Sequence, residues 1–186
     1  MNTFWTYFWP IFGAGFLIGV TSGLIGLRSR IVRPKDRVAG DKLVITPSPR
    51  RRRQVALLTG FAAVLASAAL WHGPLGAADR LATTIERQAR EALNYYEVPK
   101  VTAHLHRGPL SRELIFAGPA DDFQRGELVR LFGQLPGVHR ASWSDRSRWL
   151  PLIAEGILAA IAGFLPGLLV AYVFERRRRY NAQWTW

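Results

Sequence analysis

Three long apolar stretches divide the sequence, and polar segments of very different character separate them. Residues 4–27 and 55–71 contain no charged side chain, and residues 149–174 contain only Glu155. About 20 apolar residues are enough for a helix to cross the roughly 30 Å hydrocarbon core of a bilayer. We therefore predict three transmembrane helices, within residues 1–27, 55–72 and 149–174.

The segment between the second and third stretches has the pattern of a small folded module, which we assign to residues 76–147. Its apolar and polar side chains alternate where a half-buried strand is expected, and they recur every three or four positions where a helix is expected. Gly-Pro and Pro-Gly pairs separate these runs. The predicted order is helix, strand, strand, helix, strand, over residues 77–93, 101–105, 114–118, 121–135 and 138–143. The predicted fold class is therefore α+β with membrane helices: three transmembrane helices and one αββαβ module.

This module resembles a BON domain (bacterial OsmY and nodulation), a family of αββαβ modules in bacterial envelope proteins. The matching features are the strand Val101–Leu105, the strand Leu114–Gly118 that ends in glycine, and the step Gly137-Val138 into the last strand. The run Gly118–Arg125 is also similar to BON segments of envelope proteins of the outer-membrane-protein-A type. A longer first hairpin, Arg107–Glu113, departs from the family. The resemblance implies envelope association, a binding or scaffolding role, and no catalytic residues.

The net charge of +12 is concentrated beside the apolar stretches. Residues 28–54 carry ten basic and two acidic side chains, whereas residues 71–148 carry eleven and nine. Basic residues next to membrane spans remain on the cytoplasmic side. We therefore predict a multi-pass protein of the bacterial inner membrane, with a cytoplasmic loop at residues 28–54 and a cytoplasmic basic and aromatic tail at residues 175–186. The N-terminus and the module are then periplasmic.

Two arginine clusters set this topology and are expected to contact anionic lipids, at about 1 kcal/mol per residue near the membrane surface. They comprise Arg50, Arg51, Arg52, Arg53, Arg176, Arg177, Arg178 and Arg179. A sequence pI near 11.3 would favour nucleic acid if the basic residues lay on a folded soluble face. The basic residues flank membrane spans instead, and the loop contains no aromatic side chains on which bases could stack. We therefore predict membrane lipids as partners and no nucleic acid.

Small residues recur every four positions in two of the predicted spans. This spacing places small side chains on one helix face, where another helix can approach closely. The residues are Gly15, Gly19 and Gly23 in the first span and Ala159, Gly163 and Gly167 in the third. The spacing leaves open whether these faces pack within the chain or against another subunit.

Glu155 is the one charged residue inside a predicted span, where carboxylates often mark an ion path or a buried partner. A single carboxylate makes no proton relay, so we expect Glu155 to reach the interface or to pair with Arg146 or Arg148. His104 and His106 would share one strand face, but two ligands are too few for a structural zinc site. The chain has no cysteine. We therefore predict no metal and no cofactor.

The soluble part contains no paired carboxylates, no nucleophile with a matching base and no phosphate-binding glycine loop. The sequence thus predicts a non-enzymatic inner-membrane protein that presents a binding or scaffolding domain in the periplasm. Its expected partners are other membrane-protein subunits and periplasmic envelope proteins or lipids. The alternative is an accessory or assembly subunit of a larger membrane complex of the respiratory or photosynthetic type. A transporter is disfavoured because the three spans contain no inverted repeat.

Overall fold

The computed structural model describes residues 3–32, 44–46, 48–144 and 149–184, and these residues form five helices and five strands. In chain order the elements are α1 (Thr3–Leu27), β1 (Arg30–Val32), β2 (Val44–Thr46), α2 (Arg50–His72), α3 (Ala77–Tyr95), β3 (Thr102–Arg107), β4 (Leu110–Ala117), α4 (Asp122–Phe132), β5 (Arg140–Ser142) and α5 (Leu152–Trp184).

Helices α1, α2 and α5 are each long and apolar enough to cross a membrane. The spans that meet this description are Trp5–Leu27, Arg50–His72 and Leu152–Ala182. They coincide with the three apolar stretches of the sequence, and they indicate a membrane-embedded protein. The fold is α+β, because a small three-stranded sheet accompanies the helices.

Helices α2 and α5 extend beyond the spans predicted from apolar length. Helix α2 begins at Arg50 rather than at residue 55, because the carbonyl of Pro49 accepts the first helical hydrogen bond, from the amide of Arg53 at 3.1 Å. Arginine is also a good helix former. Helix α5 runs from Leu152 to Trp184 rather than from 149 to 174, so the predicted tail is mostly helical. Ion pairs of Glu175 with residues three and four positions further on stabilise these added turns.

Residues 28–54 contain more regular structure than the predicted loop. Strands β1 and β2 pair antiparallel, with Ile31 opposite Ile45. Strand β2 comprises Val44, Ile45 and Thr46, and β-branched residues such as these favour strands. The basic side chains Arg33, Lys35, Arg37 and Lys42 lie outside the described residues.

The module contains α3, β3, β4, α4 and β5, which is the predicted order of helix, strand, strand, helix, strand. Strand β4 is central, antiparallel to β3 and parallel to β5. Helix α3 buries an apolar stripe that includes Leu81, Ile85 and Leu93. Phe116 of β4 meets Phe132 of α4 edge to face, with ring centroids 5.3 Å apart.

The first hairpin of the module is tight, so the predicted long connection over Arg107–Glu113 was wrong. Arg107 pairs directly with Leu110, and only Gly108 and Pro109 lie between the two strands. Residues 110–113, which were assigned to the loop, belong to strand β4 instead. Leu110 pairs with Arg107 of β3, and Glu113 pairs with Arg140 of β5.

Helix α4 begins as its sequence predicts and ends three residues early. The side chain of Asp121 accepts a hydrogen bond from the amide of Gln124 at 2.7 Å, and the Gln124 side chain accepts one from the amide of Asp121 at 3.3 Å. This reciprocal pair is a capping box, which satisfies two backbone donors at the helix start. The helix ends at Phe132 rather than at Leu135.

The chain forms two compact units. The first comprises Met1–Pro10 and Ala68–Leu158, and it contains the module with the adjoining ends of α1, α2 and α5. The second comprises Ile11–Ser67 and Ala159–Trp186, and it contains most of the residues of the three long helices together with β1 and β2.

Candidate functional site

In the first unit, the carboxylate of Glu155 is bound from two sides. Glu155 lies in the first turn of α5, and Arg112 of β4 donates to it from Nε at 2.6 Å and from Nη2 at 3.3 Å. Both side chains are largely buried, at 14% and 10% exposure for Arg112 and Glu155. The indole Nε1 of Trp149 donates to the second carboxylate oxygen at 2.5 Å. The contact therefore joins the central strand of the module to the start of a membrane helix.

Aromatic rings surround this ion pair. The guanidinium of Arg112 lies 5.8 Å from the ring centroid of Phe8 in α1. Trp149 stacks on His139, with ring centroids 3.5 Å apart, and the amide of His139 donates to the carbonyl of Arg112 at 2.8 Å. These rings exclude water from the pair, which strengthens the attraction between its charges.

The sequence singled out Glu155 but did not identify its partner. The expected partners, Arg146 and Arg148, lie outside the described residues. Arg112 is 43 positions away in sequence, and only the fold of the module brings it to α5. The sequence pattern placed Arg112 in the first hairpin, whereas it lies in strand β4.

Sequence reasoning also missed a polar contact between α1 and α2 in the first unit. The hydroxyl of Tyr7 and Nδ1 of His72 are 3.0 Å apart, and Trp71 Nε1 donates to the carbonyl of Tyr7 at 3.0 Å. Tyr7 is buried. In the sequence this residue belongs to an aromatic cluster typical of a membrane interface, and nothing there distinguishes it from its neighbours.

In the second unit, the glycines of α1 pack against α5. Gly15 lies against the backbone of Ala160, and Gly19 lies against the backbone of Phe164. A Cβ atom added at either glycine would collide with the partner's carbonyl oxygen. The absence of a side chain therefore allows the two backbones to touch.

The small residues of α5 make the matching contacts. Gly163 lies against the backbone of Phe12, and Gly167 lies against the backbone of Phe16. Ala159 is only half-buried, whereas Ala160 is fully buried, so the contact begins one residue later than the four-residue spacing indicates. The glycine faces of α1 and α5 thus pack on each other within the chain.

Gly23 and α2 extend this packing. A Cβ atom at Gly23 would lie 2.6 Å from that of Ala171 in α5. Gly60 of α2 packs against Ser22 of α1, since a Cβ atom added at Gly60 would lie 2.6 Å from the Cβ atom of Ser22. The sequence did not indicate Gly60, because no second glycine lies four residues away from it.

The eight arginines expected at the membrane surface fall into two groups. Six are exposed: Arg50, Arg51, Arg52, Arg53, Arg176 and Arg177. Arg178 and Arg179 instead bind the end of α1, since Arg178 Nη2 donates to the carbonyl of Ser29 at 2.7 Å and Arg179 Nη2 donates to that of Leu27 at 3.1 Å. Arg179 thus satisfies a carbonyl that the end of a helix leaves without a helical partner, and Arg178 binds the connection that follows the helix.

A second buried carboxylate organises that cluster. Glu175 accepts hydrogen bonds from the amide of Ser29 at 3.0 Å and from its hydroxyl, and from Arg179 Nε at 3.1 Å. Both Glu175 and Ser29 are buried. Sequence reasoning treated Glu175 only as a charge, because its partner Ser29 is 146 positions away.

His104 and His106, the two histidines considered as metal ligands, do not form part of either cluster. His104 is exposed on β3, and Nδ1 of His106 lies 3.1 Å from the carbonyl oxygen of Pro109. Within the described ranges, no three His, Asp or Glu side chains are grouped closely enough to hold a metal ion.

In both clusters the carboxylate accepts hydrogen bonds from an arginine and from a second donor, which is Trp149 for Glu155 and Ser29 for Glu175. Ion pairs whose hydrogen-bonding groups all have partners help to fix the relative position of the elements that carry them.

Compared with known proteins, the chain matches no family model, and no curated protein or solved structure is significantly similar to it.

Proposed function

We propose that the chain is a non-enzymatic protein of the bacterial inner membrane that presents its module, a BON-like domain, in the periplasm to bind or scaffold envelope components. The observation that carries the proposal is the buried ion pair between Arg112 and Glu155. A domain attached to the membrane helices only by flexible linkers would not need this ion pair. Here the pair holds the central strand of the module against the first turn of α5. The module is thereby displayed in a fixed orientation at the helix ends.

The orientation in the membrane follows from the distribution of arginine. Helix α2 begins with four arginines, and α5 carries four more near its end, whereas the module joins the end of α2 to the start of α5. Because basic residues remain on the cytoplasmic side, the module belongs on the periplasmic side.

Exposed aromatic rings on the module supply a binding surface. Phe123 in the first turn of α4 is 78% exposed, and Tyr95 at the end of α3 is 82% exposed. Large aromatic side chains are enriched among the residues that dominate binding energy at protein interfaces. Their exposure on a small module fits a role in binding a partner.

The absence of cysteine allows a direct test of the orientation. Single substitutions Phe123→Cys in the module and Arg177→Cys near the end of α5 are made in the full chain. Spheroplasts are then treated with a maleimide that cannot cross membranes. We expect labelling of the Phe123→Cys chain at once and of the Arg177→Cys chain only after permeabilisation. The reverse pattern would refute a periplasmic module.

The binding role is tested by a photo-cross-linking amino acid placed at Phe123 or Tyr95 in the full chain. The matched control is the same amino acid at Arg130, an exposed position in the last turn of α4. We expect a discrete cross-link to an envelope protein or lipid from Phe123 or Tyr95 and none from Arg130. Cross-links of equal yield from all three positions, or none from any, would exclude a partner surface there.

The second candidate, an accessory or assembly subunit of a respiratory or photosynthetic type of complex, is favoured by the exposed apolar side of α2. Leu58 is 70% exposed, and Val55, Phe61 and Leu70 are exposed as well. The glycine faces of α1 and α5 do not add to this support, because they pack on each other and not on another subunit. Native gel electrophoresis after mild detergent extraction separates the candidates: comigration with a large complex supports a subunit, and migration near 20.9 kDa plus detergent opposes it.

A further inference from the structure

A groove of about 760 Å³ lies between α1 and α2 within the second unit. One wall is formed by α1 and the other by α2 with the residue before it. The lining includes Ile18 and Ile25 of α1 and Arg51, Arg52, Val55 and Ala63 of α2. Apart from the two arginines at one end, the only polar side chains of the lining are Thr21, Ser22 and Thr59, and the hydroxyls of Thr21 and Ser22 donate to carbonyls of their own helix.

The arginine end of the groove has a strong positive charge. Arg51 and Arg52 lie in the first turn of α2, where the helix dipole adds partial positive charge. No acidic residue lines the groove, and no carboxylate in the described part of the chain pairs with either arginine. This end therefore favours an anion.

A second cavity adjoins the first at this end and has a volume of about 340 Å³. It shares Ile25 and Arg52 with the groove, and its other charged lining residues are Arg28, Arg178 and Glu175, so three arginines face one carboxylate. Arg52 is therefore the side chain around which both cavities concentrate positive charge.

The length of the groove matches one leaflet of a bilayer. From Arg52 to Ala63 the α2 helix rises by roughly 17 Å at 1.5 Å per residue. This is about half of the ~30 Å hydrocarbon thickness. A molecule with an anionic head at the arginine end and an apolar tail of that length would fill the groove.

We propose that the groove binds one anionic phospholipid, with its phosphate against Arg51 and Arg52 and one acyl chain along Ile18, Ile25 and Ala63. Basic pockets between membrane helices commonly take such headgroups. A membrane helix of another protein would match the apolar walls but not the arginine end. The site does not depend on the role of the module, since all its residues belong to the second unit.

The test uses the purified full chain in detergent, titrated with phosphatidylglycerol or phosphatidylcholine, with bound lipid counted by native mass spectrometry. The headgroup variant is Arg51→Gln with Arg52→Gln. Its matched control is Arg176→Gln with Arg177→Gln, which removes the same charge from exposed residues that do not line the groove. At about 1 kcal/mol per arginine, we expect the headgroup variant to bind phosphatidylglycerol roughly 25-fold more weakly. The control should lose less than about fivefold.

A second pair of variants tests the acyl chain without changing charge. Ala63→Phe fills the groove, whereas Ala62→Phe places the same ring on an exposed position of α2 that does not line it. We expect Ala63→Phe to abolish retention of the one bound lipid and Ala62→Phe to preserve it.

Three results would overturn the proposal. The first is equal affinity for the two lipids, and the second is an equal loss in both arginine variants, which would mean attraction by net charge alone. The third is equal lipid retention by Ala62→Phe and Ala63→Phe. Copurification of a membrane protein that Ala63→Phe displaces, in place of lipid, would assign the groove to a subunit instead.

Discussion

Arg112 in the module and Glu155 in the first turn of α5 form a bidentate ion pair that is largely buried on both sides. Trp149 and Phe8 contact the pair, which joins the central strand of the module to the start of α5 within the first unit. The one carboxylate of the third apolar stretch is therefore paired within the fold.

Removal of either member of this pair should destabilise the first unit. Glu155→Ala leaves the guanidinium of Arg112 buried without its counter-ion, and we expect a loss near the lower end of the ~3–5 kcal/mol typical of broken buried pairs. Thermal unfolding of the full chain in detergent, followed by tryptophan fluorescence, measures the loss.

Replacement of both charges should restore much of that stability. The double variant Arg112→Met with Glu155→Met leaves no unpaired charge, and such swaps are often neutral or stabilising. Arg130→Ala, which breaks the exposed pair with Glu127, is the control and should leave the melting temperature unchanged. If Glu155→Ala melted like Arg130→Ala, the buried pair would not hold the module in place.

The glycine face of α1 gives a sharper prediction. Gly19→Ala places a methyl group against the backbone of Phe164, which cannot move without separating the helices. We expect a loss of about 1–3 kcal/mol in unfolding by sodium dodecyl sulfate. Gly13→Ala is the matched control, because a Cβ atom there meets nothing within 4 Å. Equal stability of the two variants would show that α1 and α5 do not touch at Gly19.

The sequence predicted what depends on local pattern and missed what depends on long-range contact. The three spans follow from apolar length, and the order of elements in the module follows from periodicity. Glu155 with Arg112, and Glu175 with Ser29, are partners across many positions, so no spacing rule reveals them.

The position of Ala160 shows where the packed face of α5 departs from the four-residue spacing. Residues four apart on an α-helix are offset by about 40°. The spacing from Ala159 through Gly163 to Gly167 therefore drifts around the helix. The buried small residues of α5 include Ala160, Gly163, Gly167 and Ala171, so the predicted spacing holds from Gly163 onwards and Ala160 takes the place of Ala159 at its start.

Glu175 should stabilise the end of α1 from a distance of 146 positions. Glu175→Ala removes the acceptor for the amide and the hydroxyl of Ser29, and it leaves Arg179 without its counter-ion. We expect a loss of roughly 3 kcal/mol in global stability. A more specific readout is hydrogen exchange of the Ser29 amide, which should become faster. Arg176→Ala, an exposed neighbour, should change neither quantity; unchanged exchange in Glu175→Ala would refute the contact.

The capping box of α4 is expected to stabilise the helix that carries the exposed Phe123. Asp121→Ala removes the acceptor for the Gln124 amide and should cost about 1 kcal/mol, as for other N-caps. Because the lost bond is local, exchange of the Gln124 amide should accelerate while that of the buried β4 amides changes little. Asp122→Ala is the matched control: it removes the same charge one residue into the helix, where the side chain forms no part of the box. If both substitutions accelerated Gln124 exchange equally, charge near the helix dipole rather than the cap would fix the start of α4.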